Sequence, residues 1–354
     1  MAGNKHITIA DVARKAGVSK QTVSRVINDK PDVAPQTRER IKAIIKSMGY
    51  SPDPIARSMK GSTHTLGCIT PNISDYNFSS IVQAAQTEAR RNGFLIFTGS
   101  APSEIDVLPL LNEMMARRVD GFLVINPRDD HRYRHFLPLI DAKIPIVYIK
   151  NSPKDEPVSA VCLDDFTGGL IATQHLVSLG HTSIVTILGP ENEECTRDRL
   201  AGYQKGLSDA ALQYDQRLIL QGDWTAESGN SAVIKLLDYQ VNFTAIFAQN
   251  DRMALGAMRA LREKGLRIPE DISVIGYDDL PLTAYFDPPL TTIKQPIEKL
   301  GQIGAQLLIE AINIPGIEPK VVRLDPLLVI RETCAPLKSN SDQSYFTLFA
   351  GGKS

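Results

Sequence analysis

From Ile9 to Met48 apolar positions recur three and four residues apart. From Leu66 onward they gather into short continuous runs separated by amphipathic stretches. The first pattern predicts helices, and the second an alternation of strands and helices. Thr8 is placed to start a first helix with Asp11 in its acidic first turn. Ile9, Val12, Ala13 and Ala16 form its apolar stripe, and Gly17 supplies the left-handed residue that ends it. Ser19 caps a second helix with Val23, Val26 and Ile27 inward and Lys20, Gln21, Ser24 and Arg25 outward. A third helix runs from Pro35 to Met48 and stops at Gly49. Long hydrogen-bond donors near the start of a short second helix suit insertion into a DNA major groove. The plain alternative is a helical hairpin with a solvated polar face.

The next segment, Ser51–Lys60, carries Asp53 as a helix cap and Pro54 as a first helical residue. Any helix there is only about two turns long and needs an outside partner to hold it, because nucleation is costly. A polar linker follows.

The runs Leu66–Ile69, Phe94–Phe97, Gly121–Ile125, Ile146–Ile149, Ile184–Leu188, Ala245–Ala248 and Ile272–Ile275 are strand-like. Stretches such as Ser79–Arg91, Gly168–Leu179, Arg252–Lys264 and Lys294–Ile312 are helix-like. This order predicts parallel sheets covered on both faces, in the α/β class. The length predicts two lobes, with a ligand cleft at the carboxyl ends of the strands. The expected division is a headpiece over 1–50, a hinge helix and linker over 51–64, a core over 65–338 and a flexible tail over 339–354. Within the core, one lobe takes about 65–162 and 292–321, the other about 163–291 and 322–338.

Charge sharpens the division. Residues 1–60 hold 12 Lys and Arg against 5 Asp and Glu, net +7, while the rest holds 27 against 35, net −8. A basic head on an acidic body fits a nucleic-acid module joined to something else. The four cysteines have no metal-type spacing, so neither zinc nor a disulfide framework is expected. No apolar run follows a basic start and none is long enough to span a bilayer, so a cytoplasmic protein without membrane contact is expected. No nucleophile elbow, P-loop or metal spacing points to an enzyme, and Gly168-Gly169 is too weak a signal for a nucleotide.

These residues resemble the lactose/galactose repressor family over about residues 7–336. The likeness is carried by Thr8-Ile-Ala-Asp-Val-Ala13, Gly17-Val-Ser-Lys-Gln-Thr-Val-Ser-Arg-Val-Ile-Asn28, Ala56-Arg-Ser-Met59 and His175-Leu-Val-Ser-Leu-Gly-His181. It continues in Arg199-Leu-Ala-Gly-Tyr203, Gln249-Asn-Asp-Arg-Met-Ala-Leu-Gly256, Asp271-Ile-Ser-Val-Ile-Gly-Tyr-Asp-Asp279 and Pro289-Leu-Thr-Thr-Ile293. The resemblance implies a homodimeric transcription regulator, a repressor that binds a pseudo-palindromic operator. It implies a core like a periplasmic sugar-binding protein, crossed three times between lobes, with a sugar or sugar-derived effector and no other cofactor. By position, Lys20, Gln21 and Arg25 contact base edges, while Ser19, Thr22, Ser24 and Asn28 grip phosphates.

In the hinge, Ala56, Arg57 and Met59 enter the minor groove, with Met59 where leucine is usual. Asp53 and Ala34 also depart from the family pattern, the latter removing a helix cap. The effector contacts carried over are Arg199, Asn250 and Asp278, with Trp224 stacking its indole on a sugar ring. Tyr76 and Phe78 are expected on the first lobe's wall. Lys150 stands near the place of a sugar-binding aspartate, which leaves room for an acidic or phosphorylated sugar. Asp164 and Asp165 are candidates for effector contacts or hinge caps. The absence of leucine heptads in the tail predicts a dimer. The competing assignment, a solute-binding protein for transport or chemotaxis, fits the core pattern but not the basic headpiece.

Overall fold

The computed structural model describes residues 7–27, 30–50, 62–126 and 131–337. The expected hinge helix, Asn28, Ala56, Arg57, Met59 and the tail lie outside the described residues.

The headpiece consists of α1 (Ile9–Ala16), α2 (Lys20–Ile27) and α3 (Pro35–Met48). The Thr8 amide donates to the Asp11 carboxylate at 3.0 Å, which fixes the start of α1. Gly17 ends it at φ 63°, a left-handed turn that costs glycine little. Val12, Val23 and Ile41 meet in a small shared core. Helices this short are marginal alone, so this shared burial holds them. Ala34 precedes α3 without a side-chain cap, and Pro35 supplies the preset first residue instead.

The core holds two six-stranded sheets. The first is built from β1 (Thr65–Thr70), β2 (Leu95–Ser100), β3 (Phe122–Ile125), β4 (Ile146–Lys150), β5 (Ser159–Leu163) and β11 (Val321–Leu324), in the order β11-β5-β4-β3-β1-β2. Around it lie α4 (Tyr76–Arg91), α5 (Glu104–Ala116), α6 (Leu137–Asp141) and α11 (Ile297–Asn313). The second sheet is built from β6 (Ile184–Leu188), β7 (Ile219–Gln221), β8 (Ala245–Ala248), β9 (Ser273–Asp278), β10 (Thr291–Lys294) and β12 (Leu327–Val329), in the order β12-β10-β9-β8-β6-β7. Its helices are α7 (Asp165–Ser178), α8 (Glu194–Asp209), α9 (Ala226–Asp238) and α10 (Asp251–Glu263).

Each sheet is sandwiched between helix layers, and the central strands β3, β6 and β8 are buried along their whole length. Continuous apolar runs are what a doubly covered parallel strand requires.

Two features differ from the sequence expectation. The pair β10–β12 is antiparallel, whereas β10–β9, β9–β8, β8–β6 and β6–β7 in the same sheet are parallel. The lobes also divide a few residues later than expected. Strand β10 pairs with β9 through Lys294, and β11 pairs with β5 through Leu324. The chain therefore crosses after Leu163, after Lys294 and between Leu324 and Leu327. A strand's sheet is chosen by its pairing partner, which periodicity does not encode. Strands β5, β7, β10, β11 and β12 were also outside the predicted runs, because they are short or broken by polar residues such as Thr291, Thr292 and Arg323.

Helices α7 and α8 pack backbone to backbone. A Cβ on Gly169 would meet the Arg199 carbonyl at 2.2 Å, and one on Gly202 would meet the Phe166 carbonyl at 2.1 Å. The pair Gly168-Gly169 is thus a packing device. Gly202→Ala is expected to destabilise the core by roughly 1–3 kcal/mol, since neither backbone can give way. A shift in urea midpoint at unchanged slope checks this, and an unshifted midpoint contradicts it.

Candidate functional site

The outward face of α2 carries one candidate site. Val23 and Val26 turn inward, which leaves Lys20, Gln21 and Arg25 exposed. Gln21 and Arg25 are one turn apart and share a face. Ser19 caps the helix: the Thr22 amide donates to Ser19 Oγ at 3.0 Å, and the two hydroxyls lie 2.9 Å apart. These bonds use one of the two hydroxyl hydrogens at the helix start and leave the other to donate. Arg25 lies 3.2 Å from Asp32, with both side chains about half exposed. An exposed pair of this kind is worth little and separates readily for a stronger anion.

The second site is a cleft of about 260 Å³ between the two sheets. It is built where strands end. Asp75 follows β1, Asn126 follows β3, Lys150 ends β4, Trp224 follows β7, Asn250 follows β8 and Asp278 ends β9. Asn126, Lys150, Trp224 and Asp278 all have positive φ, at 50°, 77°, 72° and 123°. Such residues each cost on the order of 1–3 kcal/mol and persist only where the surroundings hold them. Their collection in one cleft marks it as functional.

Phe78, Lys150, Arg199, Trp224, Asn250 and Asp278 all line the cleft, as the sequence led us to expect. Tyr76 does not. It opens α4 directly after the capping residue Asp75, and it faces a separate groove with Ser80 and Gln83. Successive helical residues turn by about 100°, so Asn77 and Phe78 face the cleft while Tyr76 turns away. Asp75, Asn126, Arg132 and Glu193 were missed. For Asp75, Asn126 and Glu193 the available signal was their place just after an apolar run.

Arg199 is buried, and it is fixed from several sides. Its Nε donates to Asp165 at 2.7 Å and its Nη1 to the Gln249 carbonyl at 2.5 Å. Its guanidinium carbon lies 3.7 Å from the centre of the Tyr277 ring, whose hydroxyl donates to the same Asp165 oxygen at 3.0 Å. Burial opposes the charge on Arg199, but Asp165 beside it more than compensates, and its pKa moves further up. Asp165 is thus the counter-ion of Arg199, while Asp164 accepts from the Thr167 amide at 2.9 Å and caps α7.

Asn250 caps α10 through the Met253 amide at 2.8 Å and donates to the Trp224 carbonyl at 3.0 Å. The Trp224 indole N–H donates to Glu193 at 2.9 Å. Its ring rests where a Cβ on Gly189 would lie 2.0 Å away, so only glycine fits beneath it. The indole is therefore held at one edge and supported from below.

Asp278 accepts a hydrogen bond from Gln295. Burial pushes its carboxyl up to about 6, against the pull of Arg199 and Lys150. Its neighbour Asp251 is wholly buried, accepting from Thr292 at 2.6 Å and from the Leu280 amide at 2.8 Å. Burial and the Asp278 charge push the Asp251 carboxyl well up. Contacts that span the cleft include Asp75 to Arg252 at 3.1 Å, Asn151 donating to Glu194 at 3.0 Å, and Asn77 hydrogen-bonded to Asp278. No group of three or more His, Cys, Asp or Glu among the described residues is arranged to hold a metal ion. No helix among them is long and apolar enough to cross a membrane.

Two family descriptions match the chain. Residues 8–53 match the lacI family of bacterial regulatory proteins, and residues 173–334 match a periplasmic binding protein-like domain. An HTH-type transcriptional repressor PurR of Vibrio atlanticus (strain LGP32) is 34% identical over 93% of this chain and 99% of its own. An HTH-type transcriptional regulator CelR of Thermobifida fusca is 35% identical over 94% of this chain and 100% of its own. Among solved structures, a lac repressor dimer bound to operator and the anti-inducer ONPF superposes with a TM-score of 0.80 at 33% identity. It covers 94% of this chain and 100% of that one. A CelR–cellobiose complex superposes at 0.71 with 35% identity, covering 92% and 99%. The chain belongs to the lacI family of bacterial regulatory proteins: it is a DNA-binding transcriptional regulator, not an enzyme.

Proposed function

We propose that this regulator is a cytoplasmic homodimeric repressor whose operator affinity is set by a sugar or sugar derivative held in the cleft. The observation that carries the ligand assignment is the fixed indole of Trp224 facing a cavity lined by Arg199, Asn250 and Asp278. An indole face stacks on the apolar face of a pyranose, and a carboxylate accepts from its hydroxyls. Small-molecule complexes of relatives, with cellobiose and with ribose, support an effector of this kind. Lys20, Gln21 and Arg25 read base edges in this assignment. Ser19, Thr22, Ser24 and Asn28 contact phosphates, and Ala56, Arg57 and Met59 form the hinge contact. The effector acts only by preferring one of two states, and operator then opposes or favours it by the same factor.

The base-reading role is tested with Arg25→Ala. Operator affinity is expected to fall by roughly 1–3 kcal/mol per half-site, with base preference relaxed at one position. Retained specificity in a gel-shift series over operator variants contradicts the role.

Arg199 both holds the core together and borders the ligand, so Arg199→Ala leaves Asp165 buried without its partner. A loss of about 3–5 kcal/mol in denaturant stability is expected along with loss of the effector response. Arg199→Met combined with Asp165→Leu is expected to recover most of that stability and none of the response. A stable single variant that still responds refutes the assignment.

Asp278 gives a pH dependence with opposite signs for ligand and fold. Its raised pKa means the folded protein favours the protonated acid, so this group's contribution to stability is lost as pH rises through about 6. Sugar hydroxyls donate more strongly to an ionised acceptor, so effector affinity is expected to fall as pH drops through about 6. Titration calorimetry from pH 5 to 8, with a sugar selected by thermal-shift screening, measures this. Asp278→Asn is expected to flatten the profile, and a profile unchanged by that substitution removes Asp278 from the site.

A further inference from the structure

We infer that the effector is an acidic sugar, a uronate or aldonate whose single carboxylate sits on Lys150. This rests on the cleft being the effector site. It adds a ligand charge that the neutral sugars of the related complexes lack.

The charges of the cleft can be assigned one by one. Arg199 is taken by Asp165, Gln249 and the Tyr277 ring. Arg132 is buried and donates to the Ala101 carbonyl at 3.0 Å and the Pro102 carbonyl at 3.5 Å. Asp75 is taken by Arg252 and by the amides of Asn77 and Phe78. Glu193 accepts from the Trp224 indole. Lys150 differs from all of these. Its ammonium lies 5.3 Å over the Phe78 ring, and it makes no hydrogen bond or ion pair among the described residues.

A cation that faces a ligand cavity and makes no hydrogen bond or ion pair of its own calls for a partner from the ligand. The ammonium is charged at neutral pH. Burial and the nearby Arg199 charge oppose it, but the carboxylates of Asp165 and Asp278 favour it and the pKa moves up. Lys150 is also placed with strain, at φ 77° on the last residue of β4. A second chamber of about 100 Å³ opens beyond it, sharing Asn126, Lys150 and Cys195 with the main cleft. Ser152 and Arg323 line that chamber together with Asp165, Glu194 and Asp198, so a polar group passing Lys150 enters a polar space with no surplus of positive charge.

Two observations limit the anion to a single charge. Lys150 is the one uncommitted cation among the described cleft residues, and Glu193 and Asp278 face the same cavity. A phosphate dianion would meet one ammonium and two carboxylates. A carboxylate on a hydroxylated ring meets Lys150 at one end and gives its hydroxyls to Asp278 at the other.

The test is calorimetric titration of the full-length protein at pH 7.5 with matched pairs: glucose and glucuronate, galactose and galacturonate, cellobiose and cellobionate. Glucose 6-phosphate and glucosamine are added as further probes. In at least one pair the acid is expected to bind roughly ten- to a hundredfold more tightly than its neutral counterpart, the size of one charge-assisted hydrogen bond. Lys150→Met and Lys150→Gln are each expected to abolish that preference. Thermal melts of both variants establish that they fold, and the wild-type pairs decide the matter without them. Neutral sugars binding as tightly as their acids overturn the inference while leaving the cleft a sugar site. A preference for glucose 6-phosphate or glucosamine overturns it in favour of a dianion or a cation. If no sugar of any charge binds, the assignment of the cleft itself fails and the inference falls with it.

Discussion

The buried pair Arg199–Asp165 is the constraint on which the core's functional geometry depends. Two charges removed from water cost several kcal/mol each unless their partners are close and well aimed. Here the guanidinium is satisfied by a carboxylate, a carbonyl and a ring face, contributed by α7, the end of β8 and β9. The contact is possible because Gly169 and Gly202 let α7 and α8 approach without intervening side chains. Asp165 also lies just past the first crossing between lobes. One interaction therefore ties α7 to α8 and fixes one wall of the cleft.

The rest of the cleft is held by shared hydrogen bonds. Asn250 both starts α10 and carries the backbone of Trp224, while Glu193 takes the indole N–H. The strained backbone at Trp224 is held by this network, and the strained strand end at Asp278 is held through Gln295. The result is a cavity with an aromatic floor, a buried carboxylate whose pKa is raised, and a cation that makes no ion pair.

The headpiece works by a different economy. Its helices are short, and they stand because Val12, Val23 and Ile41 bury one another. Turning those residues inward presents Lys20, Gln21 and Arg25 outward. Arg25 rests meanwhile on Asp32, an exposed partner it can leave.

The sequence determined much of this directly. Helical spacing, Gly17 and the caps wrote the headpiece, because those signals act within a few residues of one another. Long apolar runs wrote the central strands, since a doubly covered strand must be apolar throughout. Phe78, Lys150, Arg199, Trp224, Asn250 and Asp278, expected through resemblance, do line one cleft. Tertiary structure alone decided what those residues do once together. Pairing partners, not periodicity, assigned β10 and β11 to their sheets, and helical rotation turned Tyr76 away while bringing Asn77 in. Burial committed Arg199 to Asp165, and Lys150 makes no ion pair among the described residues. Such contacts join residues far apart in the chain, and their energies depend on desolvation, which no local pattern records.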